Sequence, residues 1–439
     1  MAYIPNTDND RAKMLAAIGV ETIDDLFASI PKPLQLHGKL NIPERLDQIS
    51  LTRHLGKLAK NNINAEDYPC FLGAGIYDHY IPPTVAAITG RSEFYTSYTP
   101  YQPELSQGML QSIYEFQTLI CELTGMDVAN ASMYDGATAL AEAAIMASEL
   151  TSRSRVAVLR SVHPSYRKVL TAYLRHMNIS IDVIEDAHGV GEQTAAVLVQ
   201  QPNFFGGIEE MSEWASMAHQ NGALLVACVD PISLGLLKPP GEYGADIVVG
   251  EGQSLGCPMG YGGPLLGLFA CKSEFMRRLP GRIVGQTTDA DGKRAFVMTL
   301  RTREQDIRRE RATSNICTNE ALYALAASVY LATMGPAGLR ETAELCLQKA
   351  HYAAGQIAKI PGFSLAFPDQ PFFKEFVVKT PGDPALLNQH LLRGGIIGGM
   401  SLTPHYPKLG NAMLFCVTEQ RTKAEIDALV VALSQGISQ

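Results

Sequence analysis

Between residues 155 and 272 the chain repeats one pattern: a brief apolar, β-branched run, then a helical or loop segment, then another such run. The runs are RVAVLR, SIDVIED, TAAVLVQQP, ALLVACVD, ADIVVG and LLGLFACK. Strands that alternate with crossovers predict a mostly parallel sheet with helices on both faces, an α/β fold. One crossover, IEEMSEWASMAHQNG, predicts a helix with Gly222 as its C-terminal stop.

The flanks differ from this centre. Residues 1–65 predict short helices with apolar stripes (Met14, Leu15, Ile18; Leu46, Ile49, Leu55). Thr7 or Asp8 caps the first, Thr22 with Asp25 the second, and Pro43 opens the third. The breakers PKP and HGKLNIP interrupt them, so this arm cannot build its own core and is expected to lie over something else. Residues 319–439 predict two helices, at 319–335 and 336–359, then the strands FSLAFP, FFKEFVVKT and AMLFCVT and the closing helix TKAEIDALVVALSQ. A chain of 439 residues exceeds what one core usually supports. The expected organisation is an arm at 1–65, a large α/β domain at 66–318 and a small α+β domain at 319–439.

Composition excludes several classes. A net charge of -8 with a pI near 5.7 provides no basic stripe for nucleic acid. Hydrophobic residues at 46% and charged residues at 18% suffice for a large core, which excludes a disordered chain. The eight cysteines are scattered, with no C-x-x-C pair, the usage of a reducing compartment and of neither staples nor zinc ligands. The N-terminus places Asn6, Asp8 and Asp10 where a signal peptide needs an apolar core, and no apolar run is expected to span a membrane. A cytoplasmic protein with no metal, no nucleic acid and no membrane follows as the expectation.

In open α/β sheets ligands sit beyond the carboxyl ends of the strands. Those ends carry SVHPSYRK, QQPNFFGG, DPISLGLLK and, after ADIVV, the glycine-dense loop GEGQSLGCPMGYGGP. Upstream, ASMYDGATALAEAAIMAS turns into an Ala-rich helix, whose start at Asp135, Gly136, Ala137 and Thr138 reads either as a phosphate cradle or as a plain capped helix. With Asp230 ending a buried strand, these pieces resemble the large domain of the fold-type I pyridoxal-phosphate transferases, the aspartate aminotransferase-like fold. In that family an aspartate pairs with the pyridine nitrogen and a loop lysine forms the Schiff base. Here the loop has no lysine, and Gln253 stands in its place, where an amide cannot form an imine. Lys238 precedes the ADIVV strand and Lys272 follows the loop.

The stretches YTPYQPELSQGMLQSIYEFQTLICELTGMDVANASMYDGATALAEA, SVHPSYR, VVGEGQSLGCPMGYGGPLLG and RTREQDIRRERATSNICTN resemble glycine decarboxylase, the P-protein of the glycine cleavage system, over essentially the whole chain. The length is similar to the N-terminal half, the alpha subunit (subunit 1), of the split bacterial and archaeal form. The resemblance implies an α2β2 assembly with a beta subunit that binds pyridoxal phosphate. It also implies decarboxylation of glycine and transfer of the aminomethyl group to the lipoyl arm of H-protein. This chain then holds no catalytic residue of its own, with Asp135, Gly136, Ala137, Thr138, His163, Asp230 and Gln253 a vestigial cofactor site. Without the lysine, His163 reads as a structural histidine; Cys257 reads as an inert thiol because no His or Lys stands near it in sequence.

The proline-punctuated FYTSYTPYQPE loop is too polar for a core. It suits a partner's site or an interface through Tyr95, Thr96, Tyr98, Tyr101 and Gln102. Thr313, Ser314 and Asn315 are further candidates, beside arginines that alternate with Glu304, Asp306 and Glu310. Two other readings stay open at this point: an independent lyase using Lys238 or Lys272, and a non-catalytic scaffold or regulatory protein.

Overall fold

The computed structural model describes residues 5–36, 38–312, 314–316 and 319–436. The chain divides into two compact units, Met1–Ile63 and Asn64–Gln439.

The first unit holds helices α1 (Asp8–Ile18) and α2 (Gln48–Ala59) joined by single turns. Thr7 and Asp10 cap α1 reciprocally, and Thr22 and Asp25 do the same for the turn at Asp24–Phe27. Pro43 does not open a helix: residues 43–47 stay extended or irregular, and α2 starts only where the Asp47 carboxylate accepts from the Ser50 amide. No described residue of this unit is buried.

The second unit opens with α3 (Pro83–Thr89) and α4 (Gln107–Thr124), followed by strand β1 (Val128–Ala129) and α5 (Gly136–Thr151). Then come β2 (Arg155–Leu159), α6 (Pro164–Leu174), β3 (Ser180–Ile184), β4 (Thr194–Gln201), α7 (Met211–Gln220), β5 (Leu224–Val229), β6 (Ile247–Glu251) and β7 (Gly267–Cys271). Their sheet has the order β1-β7-β6-β5-β4-β2-β3; the five strands from β6 to β3 are parallel, and β7 runs antiparallel to β6. Buried Val, Ile, Leu and Ala of these strands pack against α5 and α7 in one continuous core. A hairpin, β8 (Ile283–Thr288) with β9 (Arg294–Thr299), packs on α4. The sequence reading did not anticipate it, although Asp291-Gly292 is a turn signal.

Helix α8 (Ala321–Ile357) is two helices joined across a kink at Gly335, whose φ of 61° and ψ of -178° are accessible to glycine and to almost nothing else. By length and composition this segment is apolar enough to cross a membrane, contrary to the expectation that no run would be. Its apolar faces are spent on two cores: Ala324, Ala327 and Tyr330 on the large sheet, and Ala350, Ala353 and Ile357 on a second one.

That second core belongs to an antiparallel sheet of β10 (Ser364–Leu365), β11 (Glu375–Lys379), β12 (Met400–Ser401) and β13 (Ala412–Cys416), in the order β10-β11-β13-β12. Helices α9 (Pro384–Arg393) and α10 (Lys423–Gln435) cover it, the latter with a Thr422–Glu425 capping box. The two sheets are in backbone contact. A Cβ on Gly206, after β4, would lie 1.8 Å from the Glu375 carbonyl oxygen, so only glycine lets β11 approach.

Candidate functional site

The carboxyl ends of β2, β4, β5 and β6 converge on one region, and the segment 73–80 threads through it. Val229 and Gly250 are neighbours in the sheet, so Asp230 and Gln253 follow adjacent strands. Gln253 is buried and its amide is fully engaged. The oxygen accepts from the Tyr77 amide at 2.9 Å, and the nitrogen donates to the carbonyls of Tyr77 at 3.1 Å and Cys257 at 2.8 Å. Cys257 is buried beside it, and burial raises its thiol, so it is held protonated.

Asp230 caps the turn at Pro231–Gly235 by accepting from the Ile232 amide. Its other oxygen lies 2.7 Å from the ammonium of Lys374, the residue before β11. Lys374 is itself enclosed: its Nζ sits 3.5 Å from the centre of the Tyr77 ring and 3.0 Å from His79 Nε2. Burial opposes the ammonium, yet Asp230 holds its pKa above the ordinary lysine value. On its far side His79 meets Glu419 at 2.6 Å. Burial alone would raise the Glu419 carboxyl, but His79 and the Tyr80 amide bring it down to about 2. Glu375 accepts from the Ala74 amide and from the Tyr77 hydroxyl, and burial pushes it up to about 7.

Asp135 caps α5 through the Thr138 amide, with the Thr138 hydroxyl closing a capping box. The Gly136 amide is already spoken for: it donates to Glu251 Oε2 at 2.9 Å, while Glu251 Oε1 accepts from the amides of Gln253 and Leu266, each at 3.0 Å. Ala137 is buried just behind. Burial raises the Glu251 carboxyl to about 7, while the three amides pull the other way. Because only donors surround its two oxygens, the ionised form is the one these bonds serve.

His163 caps α6, its Nδ1 accepting from the Ser165 amide and its Nε2 lying 2.9 Å from the Ala74 carbonyl. That pairing requires the proton on Nε2 and a neutral ring, and burial lowers its pKa to about 4. Tyr166 covers one face of the imidazole, at 4.9 Å between ring centres and 26° between planes.

The remaining candidates lie elsewhere. Tyr95 and Tyr98 are 68% and 80% exposed. Tyr101 is anchored: its hydroxyl accepts from Arg282, which also reaches the Thr99 hydroxyl, and its ring lies under the guanidiniums of Arg282 and Arg301. Arg282 is buried, 3.8 Å from Glu304. Thr96 turns its hydroxyl back to the Ser92 carbonyl, and Gln102 is exposed. Ser314 bonds the Glu142 carboxyl, which burial raises to about 7, and Asn315 is exposed. Thr313 lies outside the described residues. Of the two lysines considered as alternatives, Lys238 is exposed and Lys272 is ion-paired with Asp246.

The structure thus assembles Asp135–Thr138, His163, Asp230 and Gln253 in one place and sets the tyrosine loop apart, held by Arg282. Sequence reasoning missed Tyr77, His79, Glu251, Lys374, Glu375 and Glu419. A lysine–glutamate pair opening the apolar FFKEFVVKT run, and a glutamate ending ADIVVGE, were the available signals. The residues present do not fit a pyridoxal-phosphate group: the amine is replaced by a fully bonded amide, and the aspartate already has a cation.

A family model described as "Glycine cleavage system P-protein" matches residues 1–433. The chain is 54% identical to a probable glycine dehydrogenase (decarboxylating) subunit 1 of Desulforamulus reducens, covering 99% of both chains. It is 53% identical to the protein of the same name in Moorella thermoacetica, again over 99% of both. A crystal structure of glycine decarboxylase (P-protein) in inhibitor-bound form superimposes with a TM-score of 0.92 at 45% identity, covering 99% of this chain and 100% of that one. The sphingosine-1-phosphate lyase of Burkholderia pseudomallei shares the fold, with a TM-score of 0.65 at 16% identity over 93% of this chain and 94% of that one.

Proposed function

This chain belongs to the glycine cleavage system P-protein family, and we propose that it acts as the lysine-less alpha half of a two-chain glycine decarboxylase. In this reading the beta half binds pyridoxal phosphate, and the pair assembles as α2β2. The complex releases the carboxyl group of glycine as carbon dioxide and passes the aminomethyl group to the lipoyl arm of H-protein. The observation that carries the reading is Gln253, buried beyond β6 with its amide bonded on both sides, so that the loop position of the Schiff-base lysine offers no amine. The name "subunit 1" borne by relatives that match end to end supports the existence of a second chain.

The role left to this chain is to shape the partner's site and the approach of the lipoyl arm. The loop around Tyr95, Thr96, Tyr98, Tyr101 and Gln102 is the candidate surface, rigidified from behind by Arg282 and Arg301, with Ser314 and Asn315 further along the arginine-rich stretch that Arg301 opens. Free thiols at all seven described cysteines accord with a reducing, cytoplasmic setting. The ion pair at Lys272 and the exposure of Lys238 speak against an independent lyase.

The test is co-expression with the beta half, read by glycine-dependent exchange of labelled bicarbonate. The expected result is exchange by the pair and none by this chain alone, with no cofactor trapped on it by borohydride. Exchange by the chain alone, or cofactor reduced onto Lys238 or Lys272, would sink the proposal.

A further inference from the structure

We propose that this chain's ancestral cofactor pocket is closed by its own side chains, which reproduce the cofactor's two polar contacts: Lys374 on Asp230, and Glu251 on the amide of Gly136. The inference rests on reading Gln253 as the lysine's replacement, and it explains something that replacement does not. Losing an amine removes the covalent bond only. An aspartate at a strand end and a helix N-terminus would still attract a cationic ring nitrogen and a phosphate. Both would also be costly to leave bare in a buried place.

The structure satisfies each with a group of matching charge. The Lys374 ammonium meets Asp230 at 2.7 Å, backed by the Tyr77 ring, so the carboxylate has its cation from within the fold. The Glu251 carboxylate takes the first amide of α5 and two loop amides, three donors on one anion, as a phosphate at a helix start would. Between these ends, the His163 face open to stacking is taken by Tyr166, whose hydroxyl would lie 2.6 Å from a Cβ on Gly136. Segment 74–79 seals the remainder through Ala74, Tyr77 and His79. A side chain that merely filled space would be apolar. These two are polar: the ammonium meets a carboxylate, and the carboxyl oxygens meet backbone N–H donors.

The probe is 4′-deoxypyridoxine 5′-phosphate, which has the ring nitrogen and phosphate but no aldehyde, so its binding is independent of any amine. Equilibrium dialysis against the full chain is expected to show no saturable binding up to about 1 mM. Gln253→Ala, which clears the lysine's place and keeps both stand-ins, should behave the same. Glu251→Gln with Lys374→Met together should bind at least about tenfold more tightly than the wild type.

Saturable binding by the wild type or by Gln253→Ala would overturn the inference, as would a folded double variant that binds no better. If the double variant does not fold, Glu251→Gln alone decides. Its amide still accepts from Gln253 and Leu266 but leaves the Gly136 amide without an acceptor. Inorganic phosphate should then raise its melting temperature and leave the wild type unmoved; no shift in the variant would overturn the phosphate half. None of these readouts depends on decarboxylase activity, so a failure here leaves the subunit assignment standing, and the reverse holds.

Discussion

At the scale of single residues, Glu375 makes a pH-dependent claim. Its pKa is about 7 in the folded chain against an ordinary 4.5, because it is buried. The folded protein therefore keeps a proton that the unfolded chain has already released. The stability this group lends is complete below pH 4.5 and is lost as pH rises through about 7. Glu375→Gln should flatten the decline in unfolding free energy between pH 5 and 8 by up to about 3 kcal/mol. An unchanged slope in denaturant titrations would mean that Glu375 is ionised in the native state. Glu419 has the opposite sign: held at about 2, it lends stability above pH 4.5 that disappears as pH falls toward 2. Tyr95 and Tyr98 present exposed hydroxyls that have no hydrogen-bond partner among the described residues. If they position groups in the partner's site, Tyr95→Phe and Tyr98→Phe should each lower bicarbonate exchange roughly 10- to 100-fold in the reconstituted complex without changing its size. Full activity would remove the loop from the site, and lost activity with lost assembly would make it only an interface.

At the scale of elements, the break in α8 is a backbone matter. A Cβ on Gly335 would meet nothing within 4 Å, so the cost of Gly335→Ala comes only from its φ and ψ. We expect a loss of roughly 1–3 kcal/mol in thermal or denaturant unfolding. A gain would show that the two helices straighten without penalty, as helix propensity alone favours. The same distinction between local and distant causes explains what could be read in advance. Strands β2 to β7 were legible because near-continuous apolar runs are their own signal. The break at Gly335-Pro336 and the caps at Thr7 and Asp135 were legible because capping acts within four residues. The β8–β9 hairpin was not, since only part of it is buried and its alternation is weak. Pro43 misled because a residue suited to start a helix was outcompeted by the Asp47 cap. At the site, Asp230, His163 and Gln253 stand at strand ends and were visible there. Lys374 was not: it contacts His79 across 295 residues, and no local pattern pairs such positions. Glu251 read as the polar end of a strand, because two of its three amide partners, Gly136 and Leu266, lie on other segments.

At the scale of the whole molecule, the Met1–Ile63 unit leaves Ile18, Leu34, Leu36, Leu40, Ile42 and Ile49 each more than 60% exposed. Such a density of bare aliphatic side chains calls for a cover. Deleting residues 1–63 should therefore abolish or weaken assembly with the beta half, read by sedimentation; normal assembly would give the arm another role. In the Asn64–Gln439 unit, the two sheets are pinned where the Gly206 backbone abuts the Glu375 carbonyl and where Lys374 reaches Asp230. In native-state hydrogen exchange, amides that open only when a shared contact breaks report one opening free energy and one denaturant dependence. The amides of β11 should therefore exchange on the same isotherm as those of β5, although they belong to different sheets. This half of the enzyme would then have exchanged a cofactor's pocket for a rivet, giving up breathing between its sheets and offering its partner a surface that does not yield.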